Sequence, residues 1–263
     1  FEKVAFIAVC STFSRKLGQE NCATSRTTSS NEGAVCMTRM PRNVPSFLPL
    51  LVVLTGLFSV LAFSLVLYLE TDSFLDIIAQ TLSALSFYLQ VALFLVWALL
   101  LNQNIKLTYL RAEEFIPQAD EETSFDLRWL QTNLRKNTVP LWPLALLTVF
   151  NTLSLLFDFD LYLLSLASVS LSLFFLYRLL FCSRQLLTLK SNFYSFYKVE
   201  GYTDQFQSIF PNRTLLSFTL LVFLTLGFYL FYFFLRFSAE LNLYLALDGG
   251  YLDRLALPEK PGD

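Results

Sequence analysis

The sequence contains no histidine, and charged residues make up only 15% of its 263 positions, against roughly 25% in a typical soluble domain. Without histidine the chain lacks the usual axial ligand of haem, the commonest metal ligand and the ordinary proton shuttle near neutral pH. Its four cysteines include no CxxC pair, so the sequence offers neither a zinc site nor a redox motif. We therefore expect no metal or cofactor, and a phospholipid such as cardiolipin is the only bound molecule that the sequence favours.

Catalytic motifs are also missing. The sequence has no P-loop, no dinucleotide fingerprint, no HExxH and no GxSxG, and these are the patterns that would point to nucleotide, metalloprotease or hydrolase chemistry. We predict that the protein is not an enzyme. The net charge of -2 provides no extended basic footprint, which argues against nucleic acid as a partner.

Residues 1–43 form a polar N-terminal extension rich in Ser, Thr and Arg. Free thiols are the favoured state of its cysteines, although Cys22 is spaced to pair with Cys10 or Cys36 in an oxidising compartment. The sequence begins with phenylalanine and its first methionine is Met37. We expect from this start an imported and processed organelle protein, or a sequence recorded from inside its reading frame.

Long apolar runs dominate the rest of the chain. Between Lys136 and Arg178 the only charged residues are Asp158 and Asp160, although a bilayer core about 30 Å thick takes only about 20 helical residues to cross. One continuous helix would place both carboxylates near the bilayer centre, at a cost of a few kcal/mol each. A turn at the aspartates returns them to water, so we predict a hairpin. Whether 139–181 forms two full spans or a shallow hairpin stays open.

The same interpretation of apolar runs predicts an all-α, polytopic membrane protein with about five transmembrane helices, arranged as two hairpins plus a C-terminal span, and interfacial helices. The membrane domain is predicted over 44–238 and a C-terminal tail over 239–263. The predicted spans are about 45–69, 74–101, 141–157, 161–181 and 215–237.

Two shorter apolar patterns lie outside these spans. Leu127, Leu130 and Leu134 recur at helical spacing, which predicts a helix lying at the membrane interface with Trp129 at headgroup depth. The apolar stretch 241–247 is too short to span, and the following Gly249-Gly250 pair predicts a break within the tail.

The distribution of basic residues predicts an orientation. Lys and Arg concentrate in the N-terminal flank and in the loops after the second and fourth predicted spans, whereas the two predicted hairpin turns contain neither. Since positive residues mark the inner face, the N-terminus and the basic loops are expected on one side. Five spans then place the C-terminus on the other side.

Basic and aromatic residues alternate after Arg178, as is typical of a segment lying on an anionic leaflet. This pattern predicts a binding site for anionic headgroups, and an ordinary loop with its charges in water is the alternative. The predicted lipid-binding residues are Arg178, Arg184, Lys190, Tyr194, Tyr197 and Lys198.

These patterns favour a non-catalytic accessory subunit of a multi-subunit membrane complex, whose partners are other membrane subunits and lipids. The spans are bulky and aromatic, as in 228–234, rather than interrupted by Gly, Pro or charge as transporters require. A respiratory complex or ATP synthase of the mitochondrial inner membrane is the first expectation, with the thylakoid or endoplasmic reticulum membrane as alternatives. The alternative functions are a small-molecule or ion transporter, in which Gln80 or Gln90 would contribute to a site instead of bridging helices, and a membrane-shaping protein of the endoplasmic reticulum.

Overall fold

A computed structural model describes residues 43–69, 73–116, 121–156, 162–196, 209, 213–225 and 227–255. All regular structure in these residues is helical, as predicted, and all the helices belong to one compact unit that starts at Asn43. The helices are α1 (Phe47–Leu69), α2 (Ser73–Phe115), α3 (Glu121–Lys136), α4 (Trp142–Leu156), α5 (Tyr162–Phe196), α6 (Leu215–Leu224) and α7 (Phe228–Leu255).

Four of these helices are long enough and apolar enough to cross a membrane. A helix satisfies its backbone hydrogen bonds within one segment, so runs of Leu, Phe, Val and Ala can enter lipid in this form. The chain therefore has the build of an integral membrane protein. The four apolar segments are Phe47–Tyr68, Phe74–Glu114, Leu166–Ser195 and Phe228–Tyr251.

The helices pair into three antiparallel hairpins, each made of a shorter helix and a longer one. In α1 and α2, a Cβ placed on Gly56 would lie 3.4 Å from Ser86 Oγ. These two residues are equally far along the chain from the link between α1 and α2, as expected for an antiparallel pair. In α4 and α5 the rings of Trp142 and Phe174 lie 5.6 Å apart. In α6 and α7 the ring of Phe218 lies 4.8 Å from that of Phe233.

The long helices α2, α5 and α7 run parallel to one another. With 43 residues, α2 extends about 64 Å at 1.5 Å per residue, roughly twice the thickness of a bilayer core. Hydrogen bonds join the C-terminal parts of the three helices, from Asn102, Cys182 and Ser238 onward, and α3 packs on those of α2 and α5. We call this half of the molecule the polar end.

Helix α3 confirms the helix predicted around Leu127, Leu130 and Leu134, but its environment differs from the prediction. The three leucines are fully buried in the protein core, and α3 packs on α2 and α5. Trp129 lies on the opposite face and is 52% exposed. Leucine packs equally well against neighbouring helices and against lipid, so its spacing alone does not distinguish the two environments. In α3 the leucine face is buried against protein.

The predicted fifth span, 215–237, is instead two antiparallel helices. The chain reverses between Leu224 and Phe228, where Gly227 takes a φ of +90° that other residues rarely adopt. The backbone N–H of Tyr229 donates to Thr225 Oγ1 at 2.9 Å and caps the start of α7. Most residues around this turn are apolar, so the hydropathy of the sequence cannot distinguish the turn from a continuous apolar helix.

The reversal brings the C-terminal half of α7 back to the polar end. The start of α1 is held there as well, because Val44 N donates to Asn242 Oδ1 at 2.6 Å and Asn242 Nδ2 donates to Val44 O at 3.2 Å. The sequence predicted the two ends of the membrane domain on opposite sides of the membrane. This prediction is wrong, because Val44 and Asn242 are neighbours.

Helix α7 also continues through Gly249 and Gly250, where the sequence predicted a break. Each mid-helix glycine costs about 1 kcal/mol relative to alanine. Leu241, Tyr244 and Tyr251 on the same helix are buried in the core, and burying a large apolar side chain contributes about 1.5–3 kcal/mol. Packing therefore outweighs the glycine penalty. The predicted turn at Asp158-Phe159-Asp160 lies outside the described residues.

Candidate functional site

A buried ion pair lies at the centre of the polar end. Lys190 of α5 donates from Nζ to Asp248 Oδ2 of α7, and both side chains are 0% exposed. Burying two charges costs several kcal/mol per ion unless close geometry and further hydrogen bonds compensate. The surroundings of this pair therefore determine whether it stabilises the bundle.

The Asp248 carboxylate accepts two further hydrogen bonds. Asn104 of α2 donates from Nδ2 to Oδ2 at 2.7 Å, and Tyr194 of α5 donates its hydroxyl to Oδ1 at 3.1 Å. The hydroxyl of Tyr244 donates to Asn104 Oδ1 at 3.1 Å. The ring of Tyr244 also lies 5.8 Å from Lys190 Nζ, within range of a cation–π interaction. We call these five side chains the Lys190–Asp248 network.

Helical periodicity places the network residues on facing surfaces. Lys190 and Tyr194 are four positions apart on α5, and so are Tyr244 and Asp248 on α7. Residues at this spacing lie one above the other on the same helix face. Asn104 adds the third helix, so the network connects α2, α5 and α7 through side chains of all three.

An aromatic cluster around Trp97 lies next to the network, on the N-terminal side along α2, α5 and α7. Trp97 is fully buried, its indole N–H donates to Ser238 Oγ at 3.0 Å, and its ring lies 4.7 Å from that of Phe237. Phe94 stacks obliquely on Phe175 of α5 at 5.3 Å. The cluster thus packs the same three helices one layer away from the ion pair, and part of the aromatic run in α7 is core rather than lipid-facing surface.

A second set of ion pairs fixes the start of α6 to α7. Arg213 donates two parallel hydrogen bonds to Glu240, each of 2.7 Å. Arg236 Nε adds a third at 2.8 Å, and the Glu240 side chain is only 5% exposed. Bidentate arginine–carboxylate pairs have a fixed planar geometry. This contact therefore holds the start of α6 beside Glu240 of α7 and fixes the geometry of the third hairpin.

The structure buries two of the six predicted lipid-binding residues and leaves two others partly exposed at the surface. Lys190 and Tyr194 come together, but around a carboxylate of the same chain and away from any surface. Arg178 and Arg184 are half-buried at the surface, and the Arg178 guanidinium lies 5.8 Å from the ring of Phe181. Tyr197 and Lys198 lie outside the described residues. A lipid-binding role stays a prediction for the two arginines and for Tyr197 and Lys198.

Sequence reasoning did not find Asp248, Asn104 or Tyr244 as site residues. The available signal was the four-residue spacing of an ionisable and an aromatic residue within otherwise apolar helices. Of the two glutamines that the sequence singled out, Gln80 and Gln90, Gln80 donates to Asp76 of its own helix at 3.1 Å rather than bridging helices. Within the described residues no group of three His, Cys, Asp or Glu side chains is placed to hold a metal ion.

Comparison of the chain with protein families, with curated proteins and with solved structures found no match.

Proposed function

We propose that the protein is a structural subunit of a larger membrane assembly, in which the Lys190–Asp248 network locks three long helices into one rigid support. The observation that carries the proposal is the burial of the network. Each of its five side chains is at most 3% exposed between α2, α5 and α7. Asp248 is 0% exposed and its two oxygens accept hydrogen bonds from three side chains. A fully satisfied buried network specifies one helix arrangement.

The three hairpins extend from this support to different depths. Helix α4 has 15 residues and α6 has 10, or about 22 Å and 15 Å, both less than the roughly 30 Å of a bilayer core. A Cβ on Gly56 would lie 2.6 Å from the ring of Phe231, which sets the tip of the third hairpin beside the middle of α1. In the proposed arrangement α1 and α2 cross the bilayer, and the α6–α7 hairpin enters one leaflet.

Such a stepped apolar surface supports contacts with neighbouring subunits. Leu67 and Tyr68 of α1 are more than 80% exposed, as is Phe223 of α6. Lipid covers side chains of this kind, and so do the helices of other membrane proteins, which pack against them through van der Waals contact. The mitochondrial inner membrane stays the first proposed location, because its cardiolipin is anionic and the basic residues of the chain concentrate on one predicted face.

A second candidate function is ion or proton transport, and the same ion pair is the observation that favours it. Ionisable side chains buried in membrane proteins often belong to proton relays or ion pathways. Lys190 and Tyr194 carry exchangeable protons and both donate to the Asp248 carboxylate, a group able to accept one.

The two functions predict different behaviour of K190M, D248N and the K190M/D248N double variant. Each single change strands one buried charge, whereas the double change removes both. For a structural subunit, native purification recovers a stoichiometric complex with the wild type and with the double variant, and less of it with either single variant. For a transporter, a lone protein shows flux in sealed vesicles that the double variant abolishes. Recovery of the wild type only as a monomer would contradict the structural proposal.

A further inference from the structure

We propose that a basic cleft between α2 and α3, outside the Lys190–Asp248 network, binds the phosphate group of an anionic ligand at the membrane surface. The cleft has a volume of about 490 Å³ and is lined by Tyr109, Gln131, Thr132, Arg135 and Lys136. Two of these residues are cationic and none is acidic. Tyr109 and Gln131 carry further donor groups, whereas the Thr132 hydroxyl donates to Arg128 O at 3.0 Å. Arg and Lys with neighbouring hydroxyl and amide groups are the usual recognition set for phosphate.

The walls of the cleft are fixed by contacts between the two helices. Gln131 Nε2 donates to the backbone carbonyl of Tyr109 at 3.3 Å, which joins α3 to α2 at the cleft. The link after α3 is held by Asn102, whose Nδ2 donates to Val139 O at 2.9 Å and whose Oδ1 accepts from Val139 N at 2.8 Å. The two cationic residues at the end of α3 therefore have a defined position on α2.

These contacts also place the cleft beside the apolar half of the molecule. The cationic pair ends α3 just before Trp142, the first residue of the apolar helix α4, and Trp142 is 54% exposed. Exposed tryptophan at the start of an apolar helix is typical of headgroup depth. Lys106, exposed one turn before Tyr109 on α2, adds a third positive charge on this side.

The charge near the cleft favours an anion. The C-terminal end of α3 carries a partial negative charge of roughly half an electron, which two full positive charges outweigh. The acidic residues closest along α2 are Glu113 and Glu114, one turn further from the membrane-facing side, and Glu114 already accepts a hydrogen bond from Arg111 at 2.9 Å.

The test uses the whole chain in nanodiscs of phosphatidylcholine, with short-chain phosphatidic acid and inorganic phosphate as separate ligands. Binding is measured by native mass spectrometry for the lipid and by calorimetry for phosphate. Each cationic residue near an anionic group contributes roughly a fivefold factor. We therefore expect R135Q/K136Q to bind about 30-fold more weakly and R135K/K136R, which keeps both charges, to retain binding. R236Q removes an exposed positive charge elsewhere, where Arg213 keeps its two hydrogen bonds to Glu240, and its binding is expected to stay within about twofold of the wild type.

Binding of phosphatidic acid alone identifies a lipid headgroup as the ligand, and binding of inorganic phosphate as well identifies a soluble phosphate group; either result supports the site. The proposal is overturned if neither ligand binds, or if R236Q weakens binding as much as R135Q/K136Q does or more. Arg135 and Lys136 are exposed, so unchanged circular dichroism of the variants is expected and separates lost binding from lost folding.

Discussion

Lys190 and Asp248 form a hydrogen-bonded ion pair across 58 positions of sequence, with both side chains fully excluded from solvent. The pair joins the C-terminal halves of α5 and α7, and Asn104 adds α2 to the same carboxylate. In this fold the chain reverses between α6 and α7, and the reversal returns Asp248 to the level of Lys190. The pair is therefore a consequence of the three-hairpin fold and a direct probe of it.

We expect K190M and D248N each to destabilise the protein by about 3–5 kcal/mol, because each leaves one buried charge without its partner. The K190M/D248N double variant is expected to lose less than either single variant, since it removes both charges and keeps a carbonyl oxygen for Asn104 or Tyr194. The measurement is thermal unfolding in detergent, followed by circular dichroism. Additive losses in the double variant would show that the two charges do not stabilise one another.

The aromatic cluster provides a second test at Trp97. We expect W97A to cost about 3–5 kcal/mol, because it removes a fully buried indole and leaves a cavity between three helices. S238A removes only the acceptor of the indole N–H, and hydrogen bonds inside membrane proteins contribute on average about 0.6 kcal/mol. W129A, at a position that is 52% exposed, is the matched control and is expected to change the free energy of unfolding by less than about 0.5 kcal/mol. Equal losses for W97A and W129A would contradict the assigned core.

Gly56 is expected to be intolerant of a side chain. A Cβ at this position would lie 2.6 Å from Phe231 Cε1, so we expect G56A to separate α1 from α7 and to cost about 1–3 kcal/mol. The F231L substitution in the same chain shortens the opposing side chain and is expected to restore part of the loss.

Gly249 is the control for that prediction, because a Cβ there would meet nothing within 4 Å. Alanine at this mid-helix position is expected to stabilise the protein by about 0.5–1 kcal/mol. Thermal unfolding of G56A and G249A side by side distinguishes a packing effect from a general effect of glycine. A stabilising G56A would mean that α1 and α7 are not in contact at this level.

The apolar helices could be predicted because their signal is local. A run of about 20 apolar residues can be recognised without knowing its neighbours, and the described helices confirm the all-α fold. The reversal at Gly227 could not be predicted in this way. Its turn needs only one residue with positive φ and a cap from Thr225, and the residues on both sides keep the run apolar.

The network depends on contacts that no local pattern specifies. Lys190 was assigned to the surface because basic residues beside apolar helices usually reach headgroups. Its burial follows from Asp248, which lies in a segment predicted to be a tail. Once α7 returns to the polar end, the four-residue spacings on α5 and α7 bring the two charges together. Tertiary contacts thus determine whether this lysine lies at the surface or in a buried ion pair.

The measurement that tests this fold most directly is the sidedness of α7. In a background with serine at the four cysteine positions, single cysteines at Glu121, Ala246 and Phe74 are treated with a membrane-impermeant thiol reagent in sealed vesicles. Glu121 and Ala246 are exposed at the polar end, and Phe74 is 70% exposed near the start of α2. The three-hairpin arrangement predicts labelling of E121C and A246C from one side and of F74C from the other. Labelling of A246C from the side opposite to E121C would contradict it.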